Sequence, residues 1–121
     1  GVATLEDGLY VLEENLKDAA FKDKMVRFVR ASMKGWKYAE QNPAEAAEIV
    51  VDNDDSGAQT VEHNTTQMGE IIKLTAGSNG ALDPADYQRT VDSLMTGGSD
   101  PVITKMPKGA WTHEITDLAL K

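Results

Sequence analysis

Apolar residues recur at three- and four-residue spacings along most of this chain, the period of a helix with one apolar face. Phe21, Met25, Phe28, Val29, Met33 and Trp36 fall on one such face and predict a long helix. Gly35 lies inside it at a penalty of about 1 kcal/mol relative to alanine, and close approach of another backbone would explain its presence. The pair Asn42-Pro43 predicts a stop and a restart, with Asn42 as N-cap and Pro43 in the first turn of a short alanine-rich helix over residues 44–51. A polar loop, residues 52–57, separates it from a further long helix over 58–74, where Val61, Thr65, Met68, Ile72 and Thr75 share one stripe. Gly77-Ser78-Asn79-Gly80 ends that helix. Asp83-Pro84 repeats the cap-then-proline start, Tyr87, Val91, Leu94 and Met95 supply an apolar side, and Gly97-Gly98 closes the element. Residues 100–109 are irregular and hold two prolines, after which Trp111, Ile115 and Leu118 predict a last short helix.

One segment breaks the helical period. Residues 8–12, Gly-Leu-Tyr-Val-Leu, form a strand-like run bounded by Gly8 and the acidic pair Glu13-Glu14, and a short helical turn is expected over 15–18. A lone strand cannot satisfy its own backbone N–H and C=O groups. It is therefore expected to pair with another chain or with strands outside these residues. The fold class is mainly α as it stands, about five helices plus one N-terminal strand, in a single segment over 1–121. There is no internal repeat, low-complexity tract or dividing linker.

Composition narrows the picture. The chain has 121 residues, 40% hydrophobic but only 6% aromatic, so a core is possible and a large, deeply buried interior is not expected. Mean hydropathy is −0.40. Twenty acidic against 12 basic residues give a net charge of −8, which repels phosphate backbones, and no nucleic-acid partner is expected. The basic positions Lys22, Lys24, Arg27, Arg30, Lys34 and Lys37 cluster on the first long helix, where a solvated face is the simplest reading. The chain has no cysteine, which removes disulfides, thiolate chemistry and cysteine zinc sites together. No apolar run approaches the ~20 residues of a membrane-spanning helix. Gly1 opens no signal-peptide pattern, and the absent initiator Met leads us to expect a trimmed or longer parent.

Candidate chemistry is thin. Asp52, Asp54, Ser56 and Gly57 match positions one, three, five and six of an EF-hand loop, but the bidentate Glu at position twelve is His63, with Glu62 one residue early. A solvated turn is expected there. His113-Glu114 begins like a zinc-protease helix, yet Asp117 stands where the second histidine belongs, and His63 is distant in sequence. No metal, cofactor or catalytic residue is assigned. Asn64-Thr65-Thr66 is formally a glycosylation sequon, and a helical position makes a chance match the better reading. Trp36, Tyr38, Tyr87 and Trp111 could stack on a flat ligand, but Trp36 and Tyr87 sit at helical spacings and are expected in the core. Asp7 and Tyr10, on and beside the strand-like run, are the candidate ligand-binding residues.

Two stretches together resemble a family. Asp7-Gly8-Leu9-Tyr10-Val11, followed by the helix that ends Gly35-Trp36-Lys37-Tyr38-Ala39, resembles the solute-binding proteins of bacterial ABC importers for nitrate, sulfonates and taurine. That group includes binders of the thiamine pyrimidine precursor and of riboflavin. Asn42-Pro43 before an acidic, alanine-rich helix is similar to the family as well. The resemblance covers essentially the whole chain but only the C-terminal third or so of a family member. It implies part of a two-lobed α/β periplasmic-binding-protein fold (type II) that closes on a small solute and delivers it to an ABC permease, without catalysis. It also implies a periplasmic location, or a lipid anchor facing the periplasm, for the parent. Its departures are large: the opening strands of the first lobe and the second lobe have no counterpart here. Two rivals remain, a small all-helical interaction module and part of a thiamine-precursor synthase-like enzyme. The isolated segment is expected to self-associate through uncovered apolar surface.

Overall fold

The computed structural model describes residues 4, 5 and 7–121. After a 3₁₀ turn over Glu13–Lys17, five α-helices follow: α1 (Ala19–Gln41), α2 (Pro43–Asp52), α3 (Val61–Thr75), α4 (Pro84–Thr96) and α5 (Thr116–Ala119). The described residues are mainly helical, as the apolar period predicts.

The expected strand does not form. Among the described residues there is no strand, and 8–12 precede the 3₁₀ turn as an irregular segment. The physical reason is the one that made a lone strand suspect: no second strand lies among the described residues to pair with it. Its side chains have nowhere to go either, and Leu9, Tyr10, Val11 and Leu12 are all exposed.

The chain forms two compact units, Gly1–Val26 with Gly80–Lys121, and Arg27–Asn79. In the first, Val26, Val91 and Ala119 are the buried apolar residues. The Leu5 N–H donates to Thr90 Oγ1 at 2.8 Å, and that hydroxyl donates in turn to the Asp86 carbonyl at 2.9 Å. Lys22 pairs with Glu114, joining the start of α1 to the segment ahead of α5. The Ile103 N–H reaches the Leu94 carbonyl at 3.3 Å and holds the irregular 97–115 connection against α4.

The second unit is built on α2 and α3, which pack against each other. Ala46 and Ala47 are its buried apolar residues, small enough to let two helices approach closely. A buried methyl(ene) group contributes only about 0.8 kcal/mol, so such a core is weak. No large side chain among the described residues is fully buried. Local capping therefore carries an unusual share of the order.

The caps are partly as expected. Asp83 accepts from the Ala85 N–H at 2.7 Å, ahead of Pro84 at the start of α4. Asn42 behaves differently. Its carbonyl accepts from the Ala46 N–H at 2.9 Å and opens α2, but its side-chain amide turns back to donate to the Tyr38 carbonyl at 3.0 Å. The side chain closes α1 rather than capping α2. Helix α3 starts at Val61, three residues later than expected, because Thr60 provides the cap: its hydroxyl accepts from the His63 N–H at 3.2 Å. Among the described residues Gly35 has no packing reason, since a Cβ there would meet nothing within 4 Å.

Candidate functional site

The predicted ligand-binding pair lies in the irregular segment ahead of the 3₁₀ turn. Asp7 is exposed. Tyr10 is 83% exposed. Its ring folds back over Gly8, where a Cβ would lie 3.1 Å from the phenol carbon and oxygen. The small residue at position 8 is what permits that placement. The two candidates share one exposed stretch of the chain.

The aromatic residues divide between the units. In the first, Trp111 stands between Tyr87 and His113, with ring centroids 6.2 Å and 4.8 Å away. The edge-to-face geometry with Tyr87 is the arrangement aromatic quadrupoles favour. His113 Nε2 lies 2.7 Å from the Leu82 carbonyl oxygen. A carbonyl only accepts, so Nε2 carries the proton. Tyr87 is partly buried, in line with a core role, and Trp111 is exposed at its rim. This cluster fastens the 111–113 segment to α4 and the residues before it. The His113 Nε2–H is satisfied by the backbone.

In the second unit Trp36 is 48% exposed, against the expectation of a core tryptophan. Tyr38 is also exposed, and its hydroxyl donates to Glu45 Oε2 at 2.7 Å across the α1–α2 junction. That hydrogen bond, then burial, then the Glu45 charge raise the Tyr38 hydroxyl above its ordinary value of 10. Its polar atom is therefore tied to the junction rather than offered to a ligand.

The acidic loop organises itself. Asp52 is the last residue of α2, not a loop ligand. One carboxylate oxygen of Asp54 accepts from the Ser56 N–H at 3.0 Å and from the Ser56 hydroxyl, and the other accepts from the Gln59 N–H at 2.8 Å. The Ser56 hydroxyl and the Gln59 amide hold the Asp54 carboxyl below its ordinary 3.8. Gly57, at φ 68°, makes the turn that this closure requires. Among the described residues no group of three or more histidine, aspartate or glutamate side chains is placed to hold a metal ion. His63 is exposed at the start of α3, and its contact there is made by its backbone N–H.

The sequon falls on a residue with another task. Asn64 is only 5% exposed. Its amide nitrogen donates to Gln59 Oε1 at 2.9 Å and to the Thr60 carbonyl at 3.0 Å. The nitrogen that a glycan would need is thus enclosed and committed. The sequence did carry a hint of this bracket: Asn64 stands three residues after Val61 and four before Met68, on the same face as the apolar stripe of α3.

No family model, no curated protein and no solved structure matches this chain.

Proposed function

We propose that these residues belong to the substrate-binding component of an ABC importer, which binds a small organic solute and performs no chemistry on it. The solute classes are sulfonates and taurine, nitrate-like anions, the thiamine pyrimidine precursor, and riboflavin. The parent is a two-lobed α/β binding protein of type II, periplasmic or lipid-anchored facing the periplasm, and its partner is the importer's permease. Asp7 and Tyr10 contribute to the ligand cleft near the hinge, and closure of the lobes supplies most of the contact.

The observation that carries this reading is the segment 8–12. Four consecutive large apolar side chains are exposed there, with no strand among the described residues to pair with. Such a run is expected if its sheet lies outside these residues, and it leads into the Gly35-Trp36-Lys37-Tyr38-Ala39 helix on which the family resemblance rests. A second reading, a small all-helical interaction module, is favoured by the helical make-up of the described residues and uses the same exposed run as its docking surface.

The test is a thermal-shift screen of the full-length gene product against sulfonates, pyrimidines and flavins. A ligand present at about 100 times its Kd stabilises a binding protein by about 2.7 kcal/mol, a readily measured shift. Stabilisation by one class without turnover supports the binding protein. Turnover favours a synthase-like enzyme, and a gene product limited to these 121 residues sinks the importer reading in favour of the module.

A further inference from the structure

The segment after α3 carries the chain's one Asn-Gly pair, Asn79-Gly80. Helix α3 ends at Thr75, the Ser78 N–H donates to the Thr75 carbonyl at 2.9 Å, and residues 78 and 79 have no regular structure. Gly80 stands at φ 85°, in the left-handed region that favours a residue without a Cβ. Asn79 and Gly80 are both exposed.

An asparagine amide is open to attack by the backbone nitrogen of the next residue, which closes a succinimide ring. The attack needs a nitrogen that no neighbouring side chain shields and a backbone free to leave the helical conformation. The other asparagines fail on one count or both. Asn42 precedes Pro43, whose nitrogen has no proton to lose. Asn64 lies within α3, is 5% exposed and has its amide committed to Gln59 and Thr60. The Asn53 amide donates to the Ile49 carbonyl at 2.8 Å, and the next nitrogen, that of Asp54, donates to the Val51 carbonyl at 3.1 Å. Asn15 sits inside the 3₁₀ turn and is followed by the branched Leu16. Asn79 and Gly80 each take part in an interaction within the fold, and the reaction runs from the opened turn, since loops open locally at little cost.

We propose that Asn79 is a spontaneous deamidation site, converted to aspartate and isoaspartate through a succinimide formed with the Gly80 nitrogen. That nitrogen loses its proton to hydroxide and bonds to Asn79 Cγ. The Cγ–Nδ2 bond breaks, and ammonia leaves with a proton taken from water. Water then opens the ring at either carbonyl, so the amide is exchanged for a carboxylate with nothing oxidised or reduced. Both products add a negative charge to a chain of net charge −8. The isoaspartate product also routes the main chain through the side-chain carbon, which lengthens the segment after α3 by a methylene group. The proposal rests on this segment alone and is independent of the importer reading.

The experiment is incubation of the full chain in mildly alkaline buffer at physiological temperature, followed by tryptic mapping with mass spectrometry. Cleavage after Lys73 and Arg89 releases residues 74–89, which contain Asn79 and no other asparagine. The expected result is conversion of that peptide to two heavier products, aspartate and isoaspartate, which chromatography separates. Its rate should rise in proportion to hydroxide and exceed that of every other asparagine by an order of magnitude or more. Asn79→Gln should abolish the accompanying release of ammonia over the same period, with circular dichroism checking that the variant keeps its helices. Faster loss at another asparagine would overturn the proposal. So would an intact Asn79 in the folded chain after a urea-unfolded sample has converted, or a single aspartate product, which would mean direct hydrolysis without the ring.

Discussion

Replacing Asn64 tests whether the second unit depends on a local hydrogen-bonded bracket more than on its core. The Asn64 amide donates two hydrogen bonds, to Gln59 Oε1 and to the Thr60 carbonyl, from a site that is 5% exposed. Because the Thr60 carbonyl can only accept, the amide orientation is fixed. Asn64→Ala removes both bonds. At about 0.5–1.5 kcal/mol each, the expected loss is about 1–3 kcal/mol. That range brackets the roughly 1.6 kcal/mol that the two buried alanine methyls of this unit provide together, at about 0.8 kcal/mol apiece.

Asn64→Asp is the sharper perturbation. It removes the same donors and sets a carboxylate against two acceptor oxygens with little water to screen them, so at neutral pH it should be worse than Asn64→Ala. Burial and the facing acceptors disfavour the charged form and raise the new carboxyl's pKa in the folded state above its unfolded value of about 3.9. The variant is then least impaired below that unfolded value, and the penalty grows as pH rises through the folded one. Urea denaturation followed by the backbone amide signals of α2 and α3 reads this unit by itself. The midpoint of Asn64→Ala should fall by on the order of 1 M. The deficit of Asn64→Asp relative to Asn64→Ala should shrink between about pH 7 and pH 4, each compared with wild type at the same pH. Equal stability of the two variants at neutral pH, or a gap that does not change with pH, would refute the reasoning.

Two further outcomes follow from the same structure. Gly35→Ala should stabilise the chain by about 0.5–1 kcal/mol, since the added methyl meets nothing within 4 Å and a helix favours alanine. Gly97→Ala should destabilise it by more than about 1 kcal/mol, because its Cβ would lie 2.6 Å from the Ser93 carbonyl oxygen; thermal unfolding of the pair checks the opposite signs. The Asp54 loop should loosen in acid. Its carboxyl is held below 3.8 in the folded chain, so its contribution is present above that value and is lost as pH falls through the depressed one. Amide chemical shifts of Ser56 and Gln59 should follow this titration, and Asp54→Asn should flatten it.

The helices were legible in the sequence because their cause is local. Apolar residues three and four apart, with prolines at 43 and 84, place four of the five helices to within a few residues. The start of α3 was misplaced because Asp54 captures the Gln59 N–H and Thr60 caps the helix, side-chain bonds that compete with helix formation over 58–60. The strand failed for the opposite reason. A strand exists only with a partner, and Gly-Leu-Tyr-Val-Leu states a preference that no other described segment answers. Trp36 was misread in the same way: periodicity shows that a helix has an apolar side but not that anything packs on it. The bond between His113 and the Leu82 carbonyl spans 31 residues and leaves no trace in spacing.

Two of these misses, the strand and Trp36, have a common source, and it bears on function. Each is a place where an apolar group needs a neighbour from far along the chain or beyond it. Chemistry-bearing groups behave otherwise: Asp54, Tyr38, Asn64 and His113 all find partners nearby or in the backbone. What the described residues leave open at 8–12 is therefore apolar surface, since Leu9, Tyr10, Val11 and Leu12 are all exposed, and the importer reading assigns that run to a sheet.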